Sequence, residues 1–127
     1  MKKINSVLVV AALAVSAVVA PAAANAQDLY GAIAYSQKSK NYSWATDFNN
    51  QEAAEAAAMD ECYNKASDCR LATWFRNACG SLAVGADGGW GSHWGKNFRQ
   101  AQNKAINACE GSSYNCRVVV TKCVKGY

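Results

Sequence analysis

The cysteines of this chain recur together with the residues around them, and this repeat constrains the fold more than any other feature of the sequence. Cys62 and Cys69 reappear in the second half at an offset of 47. A helix start and a small-residue packing face recur at the same offset, so the match covers a structural unit and indicates an internal duplication. The matched pairs are Asn50 with Asn97, Ala54 with Ala101, Ala58 with Ala105, Cys62 with Cys109, Cys69 with Cys116 and Arg70 with Arg117.

Each copy has the same predicted order of elements, β-β-α-β, with the first copy at about 30–77 and the second at about 78–127. Runs of aromatic and small residues on either side of a polar turn indicate a β-hairpin, and the alanine- and glutamate-rich run that follows indicates a helix. We therefore predict an α+β fold in which two helices pack on antiparallel sheet. In the first copy the predicted elements are strands at 30–35 and 42–46, a helix at 51–63 and a strand at 69–75.

The first predicted helix carries a start signal and an alanine face. Asn49, with Glu52 three residues later, resembles a capping box. Ala54, Ala58 and Cys62 fall at helical spacing on one side. Because these side chains are small, we expect this face to approach a sheet closely.

An N-terminal signal peptide is predicted over residues 1–26. Lys2 and Lys3 precede an apolar run at 7–20, and small residues lead up to Ala26, after which we place the cleavage site. The apolar run is shorter than the roughly 18 residues that a membrane-spanning helix needs. We therefore expect 27–127 to reach the periplasm or the exterior as one duplicated domain with no membrane span.

Six cysteines in a short exported chain indicate three disulfides. The repeat makes the pair in the first copy equivalent to the pair in the second, and the two cysteines without counterparts are then left to pair with each other. The sequence has no Cys-x-x-Cys pair with a nearby histidine, which is the spacing expected of a zinc site. We therefore expect neither a metal nor a cofactor. The predicted disulfides are Cys62–Cys69, Cys109–Cys116 and Cys79–Cys123.

The charge of the exported chain is small. Without Lys2 and Lys3, the 13 basic residues become 11, against 9 acidic ones, a net charge of about +2. The basic residues are scattered along the chain and form no cluster. Nucleic-acid binding is therefore not expected, because it requires a basic patch or stripe.

Four stretches together resemble the bacterial family catalogued as domain of unknown function 4189. They are Tyr30-Gly-Ala-Ile-Ala-Tyr, the alanine-rich helix ending at Cys62, the block from Cys69 to Gly80 and Trp94-Gly. The resemblance covers nearly all of the chain after the signal peptide, and the part from Trp74 to Gly80 is its most specific portion. It implies secretion or attachment to extracytoplasmic modules, and it carries no established catalytic residues. Because mycobacterial relatives include an exported effector, the resemblance adds a secreted effector as one alternative.

His93, the single histidine of the chain, is a candidate catalytic residue. It could act as a general base for Ser92, Ser81 or Ser36, with Asp87 as the orienting acid. This arrangement, or Asp87 alone, would suit a small extracytoplasmic hydrolase of cell-wall sugar or peptide. The alternative is a polar residue near a hairpin tip, and the absence of a nucleophile-elbow motif favours that alternative.

The aromatic residues offer a different kind of site. Burial in the core would explain Trp74 and Phe98, since large rings supply much of the buried area of a small protein. Trp90 and Trp94 are flanked by glycines, which cannot cover an aromatic ring. If these rings are exposed, they form a contact surface for a sugar, a peptide or a protein. The alternative is that they simply pack in the core.

The sequence therefore favours a secreted or periplasmic, non-enzymatic interaction module, which we expect to be a monomer. Its predicted partner is a protein or a cell-envelope component of unknown identity. The hydrolase and the effector are the alternatives. The predicted contact residues are Trp90, Trp94, His93 and Trp44.

Overall fold

A computed structural model describes residue 14 and residues 27–127. The predicted signal peptide and its cleavage site lie outside the described residues, apart from residue 14. Within the described part of the chain, no helix has the length and apolar character needed to cross a membrane.

The elements follow the predicted β-β-α-β order twice. Each copy forms its own three-stranded antiparallel sheet, and the first strand of the copy lies in the centre, in the orders β2-β1-β3 and β5-β4-β6. The matching topologies confirm the predicted α+β duplication. The elements are β1 (Tyr30–Ser36), β2 (Tyr42–Phe48), α1 (Gln51–Tyr63), β3 (Cys69–Arg76), β4 (Cys79–Val84), β5 (Trp90–Gly95), α2 (Phe98–Glu110) and β6 (Arg117–Cys123).

The two sheets stack face to face with one helix outside each, so the protein has four layers. Successive side chains of a strand point to opposite faces, and the central strand β1 is buried on both. Ala32 and Ala34 pack against α1, whereas Ile33 and Tyr35 face the other sheet, where they meet Leu82. Helix α2 covers the outer face of the second sheet in the same way.

Both helices begin at an asparagine cap. The Asn50 Oδ1 accepts a hydrogen bond from the Ala53 N–H at 2.8 Å, and Asn97 does the same for Gln100 at 2.8 Å. The prediction of Asn49 as the cap was wrong by one residue, because the extended backbone and the capping side chain belong to Asn50. The repeat already pairs the two observed caps at an offset of 47.

Helix α2 lies directly against the backbone of β5. A Cβ atom added to Gly91 would lie 2.1 Å from the Cys109 backbone nitrogen, and one added to Gly95 would lie 2.4 Å from the Ala101 nitrogen. Atoms do not approach this closely, so glycine at these two positions permits the contact between helix and sheet.

All three predicted disulfides are confirmed. In each copy, one of them closes the loop between the helix and the following strand. The third links β4 to β6 at residues that are direct partners in the sheet register. The pairs are Cys62–Cys69, Cys109–Cys116 and Cys79–Cys123, and the described residues include no free cysteine.

Candidate binding surface

The stacking of the sheets places their edge strands side by side in two pairs, β3 with β5 and β2 with β6. The duplication makes these two edges equivalent, because β2 corresponds to β5 and β3 to β6. At the β3–β5 edge, the Ser92 hydroxyl donates a hydrogen bond to the Ala72 carbonyl. At the β2–β6 edge, Asp47 accepts a hydrogen bond from the backbone N–H of Lys125 at 2.7 Å.

The β3–β5 edge contains a groove of about 610 Å³, lined by residues 71–76 and Trp94. We call it the tryptophan groove, because Trp74 and Trp94 both line it and are 40% and 46% exposed. Trp74 stacks on Tyr30 with ring centroids 6.4 Å apart. The Lys104 Nζ lies 5.0 Å from the centroid of the Trp94 ring. Each indole ring thus has a neighbouring side chain packed near it. The volume of the groove falls in the range of small-ligand sites.

Polar groups in the groove are few. Arg76 is more than half exposed, and its Nη1 lies 4.0 Å from Asp28, a surface ion pair that contributes little energy. The Ala72 carbonyl already accepts the Ser92 hydroxyl. Thr73 also lines the groove, and its hydroxyl donates to the Trp74 carbonyl at 3.3 Å. The groove therefore offers a ligand two exposed aromatic rings, one hydroxyl and one guanidinium.

The predicted contact residues are separated by the fold. Trp90 is half-buried between the sheets, with its ring 5.7 Å from that of Tyr35 in an edge-to-face arrangement. Trp94 lines the groove. Trp44 is 42% exposed but lies at the opposite edge, where the Lys122 Nζ sits 4.3 Å from its ring centroid. The structure thus brings together Trp94 and Trp74, a residue that the sequence did not assign to the contact surface.

Trp74 and Phe98 lie outside the core, where the sequence could have placed them. Trp74 is 40% exposed, and Phe98, the first residue of α2, is 53% exposed. Phe75 is the buried ring instead, and added Cβ atoms at Gly31 and Gly80 would lie within 2.4 Å of it. Strand alternation was the available signal, because neighbours on β3 point to opposite faces and only one of them can face the other sheet.

His93, Ser92 and Asp87 do not assemble into a catalytic group. The His93 Nδ1 lies 2.9 Å from the backbone nitrogen and 2.8 Å from the carbonyl oxygen of Trp94. Ser92 bonds across to β3, and Asp87 accepts the hydroxyl of Ser113. Within residues 27–127, no hydrogen bond joins His93 to a serine or an acid, and no cluster of potential ligands suits a metal ion.

Asp87 forms a hydrogen bond that links a hairpin to the helix–strand loop. An equivalent bond exists in the other copy, where the serine and the aspartate exchange places. In the second copy, Asp87 of the β4–β5 turn accepts a hydrogen bond from Ser113 of the helix–strand loop. In the first copy, Ser36 at the end of β1 donates to Asp68 of the helix–strand loop. The hydroxyl donor, followed by a backbone N–H, lowers the pKa of each carboxyl below its ordinary value of 3.8. Each bond ties a hairpin to the loop beside it.

Replacing both Asp68 and Asp87 with asparagine is expected to lower stability at neutral pH and to flatten its dependence on acid. Because the folded-state pKa of each carboxyl lies below the ordinary value of 3.8, the ionised carboxylates stabilise the fold above that pH. This stabilisation is lost as the pH falls through the folded-state pKa. The free energy of unfolding in urea, measured between about pH 7 and pH 2, tests this. An Asp60→Asn control on the exposed side of α1 should retain the acid dependence of the natural protein, and a double variant that retains it too would contradict the prediction.

Together, the fold and the groove define an internally duplicated, disulfide-bonded α+β protein with an exposed aromatic groove. The family model described as "Domain of unknown function (DUF4189)" matches residues 30–123, and the chain belongs to this family. This confirms the resemblance noted from the sequence.

Curated relatives come from mycobacteria. Protein Rv1269c of Mycobacterium tuberculosis (strain ATCC 25618 / H37Rv) and Protein Mb1300c of Mycobacterium bovis are each 48% identical to this chain over 63 residues. The match covers 48% of this chain and 46% of each relative, so it spans about half the length of either protein. No solved structure matches the chain.

Proposed function

We propose that this protein is a non-enzymatic interaction module whose contact surface is the tryptophan groove. The observation that carries this proposal is the pair of exposed indoles, Trp74 and Trp94, at one groove. Tryptophan is enriched among the few residues that carry most of the energy of an interface, and it loses little side-chain entropy on binding. The partner is a protein or a component of the cell envelope.

We propose further that the module acts outside the cytoplasm, in the periplasm or beyond the cell. The basic, apolar and small-residue segments of 1–26 have the order of a signal peptide. The three disulfides support this location, because such bonds persist in oxidising compartments. The exported domain would then comprise 27–127.

The β3–β5 edge is favoured because two exposed tryptophans line one groove there, whereas the equivalent edge on the other side has one exposed tryptophan. At the β2–β6 edge, the ammonium group of Lys122 lies over the exposed Trp44, and Tyr42 stacks beside it with ring centroids 6.4 Å apart. Trp44 is the one exposed tryptophan at this edge. Its exposure is close to that of Trp74 and Trp94, so it provides a matched control.

Replacing Trp74 and Trp94 together with alanine is expected to weaken partner binding by about thirtyfold or more, because loss of a hot-spot residue costs about 2 kcal/mol. The immobilised protein would first be used to capture a component from envelope fractions. The purified component would then be titrated against each variant by calorimetry.

The Trp44→Ala variant should bind this component as the natural protein does. Thermal unfolding of all variants would show that the fold is retained, which the exposure of the three rings leads us to expect. Equal affinity of the double variant and the natural protein would refute the groove as the contact surface.

A further inference from the structure

A second cleft, of about 600 Å³, lies at the hairpin end of the sandwich and is distinct from the tryptophan groove. Its walls come from three loops that are distant in sequence. Lys40 belongs to the β1–β2 turn, Gly85 and Ala86 belong to the β4–β5 turn, and Asn115 and Arg117 lie around the start of β6. We call it the cationic cleft.

The charged residues that line the cleft are both cations. Lys40 and Arg117 are exposed, and neither makes an ion pair within the described part of the chain. The remaining lining residues are small, apolar or amide side chains. Asp87 is an acid in the adjacent turn, but it does not line the cleft, and its carboxylate is engaged by the Ser113 hydroxyl. The cleft therefore has a positive charge that no lining group offsets.

The equivalent place in the first copy is different. Arg70 matches Arg117 at an offset of 47, but the residue two positions before Arg70 is Asp68, whereas the residue two positions before Arg117 is Asn115. Asp68 also takes an internal hydrogen bond from Ser36. The first copy thus has an acid two residues before its arginine, and the second copy has a neutral amide at the equivalent position.

Lys40 reaches the cleft from the other copy. It sits in a tight turn with a left-handed backbone, φ 60°. Its Cε lies 3.9 Å from the position that a Cβ on Gly88 would occupy, which places the aliphatic stem against the β4–β5 turn. Stacking of the two sheets therefore places a cation of the first copy opposite Arg117 of the second.

We propose that the cationic cleft binds a small oxyanion carrying two or more carboxylate or phosphate groups. An arginine fork can donate two parallel hydrogen bonds to such a group, and a lysine adds a second positive charge on the facing wall. Val84 and Val119 add apolar surface to the lining of the cleft. Because the site shares no lining residue with the tryptophan groove, it stands whether or not the groove binds a partner.

Titration of the ¹⁵N-labelled protein with citrate, and separately with pyrophosphate, at low salt tests the proposal. Amide shift changes are expected at residues 40, 85–86 and 115–117, and added salt should weaken binding through screening. Tighter binding of citrate would assign the site to carboxylates, and tighter binding of pyrophosphate would assign it to phosphates. Shift changes elsewhere, or none, would overturn the proposal, and this mapping needs no variant to fold.

A variant pair with matched charge separates a site from general attraction. Lys40→Gln with Arg117→Gln is expected to weaken binding of the better probe by about tenfold. Lys38→Gln with Arg70→Gln removes the same charge from the turn and the arginine position of the first copy, and it should leave the affinity unchanged. Equal weakening by both pairs would mean that net charge, and not this cleft, attracts the anion.

Discussion

Replacing Cys79 and Cys123 with alanine is expected to destabilise the protein by about 4 kcal/mol, against about 2 kcal/mol for the Cys62 and Cys69 pair. The entropy that a disulfide removes from the unfolded chain increases with the logarithm of the number of residues in the loop that it closes. The first pair is separated by 44 residues and the second by 7. The free energy of unfolding in urea, measured for both variants under the same oxidising conditions, gives the difference directly.

The second copy supplies an internal control for this prediction. The Cys109–Cys116 bond also spans 7 residues, with a Cα–Cα distance of 6.1 Å against 6.0 Å for its counterpart. Removing it should therefore cost about as much as removing Cys62–Cys69. A greater loss from either short loop than from the long one would show that local packing, and not chain entropy, sets the contribution of these bonds.

Gly91→Ala is expected to cost about 3 kcal/mol, because it forces an atom into the contact between β5 and α2. The added Cβ would lie 2.1 Å from the Cys109 nitrogen and 2.5 Å from the Ala108 carbonyl carbon. Both are backbone atoms of the helix, so no side chain can rotate to make room, and the helix itself must move. The midpoint and the free energy of urea unfolding would measure this cost.

Gly111→Ala is the matched control at the end of the same helix. Gly111 has an ordinary helical φ of −69°, and the nearest contact of its added Cβ beyond the adjoining residues would be 3.4 Å, to the Ala108 carbonyl oxygen. This substitution is expected to be neutral or to stabilise by about 0.5 kcal/mol, since alanine restricts the unfolded chain more than glycine does. Similar stabilities for the two variants would contradict the close packing of α2 on β5.

Much of the fold could be predicted because its signals are local or repeated. Helix α1 was predicted at 51–63, and the structure has the same bounds. The order of elements and all three disulfides followed from aligning the two copies, since equivalent cysteines take equivalent places. The helix cap was missed by one residue, because Asn49 and Asn50 are both good caps and only the backbone conformation distinguishes them.

The binding surfaces depended on contacts between segments far apart in the chain. Strand alternation shows that Trp74 and Phe75 point opposite ways, but not which face meets the other sheet. The glycines that flank Trp90 left open whether its ring is exposed or packed, and the opposite sheet half-buries it against Tyr35. A contact with a residue of the other sheet cannot be predicted from the neighbouring residues in the sequence.

By itself, the sequence determined the duplication, the covalent links and the secondary structure, because these depend on spacing and on short-range preference. Tertiary structure alone decided that the two copies form separate stacked sheets, and thereby which rings and charges meet. Trp94 joins Trp74 in one groove, and Lys40 joins Arg117 in another cleft, because the two sheets stack in one particular arrangement. This stacking buries Ile33 of the first copy together with Leu82 of the second between the two sheets, which favours the arrangement. The interaction joins residues far apart in the chain and has no local sequence signal.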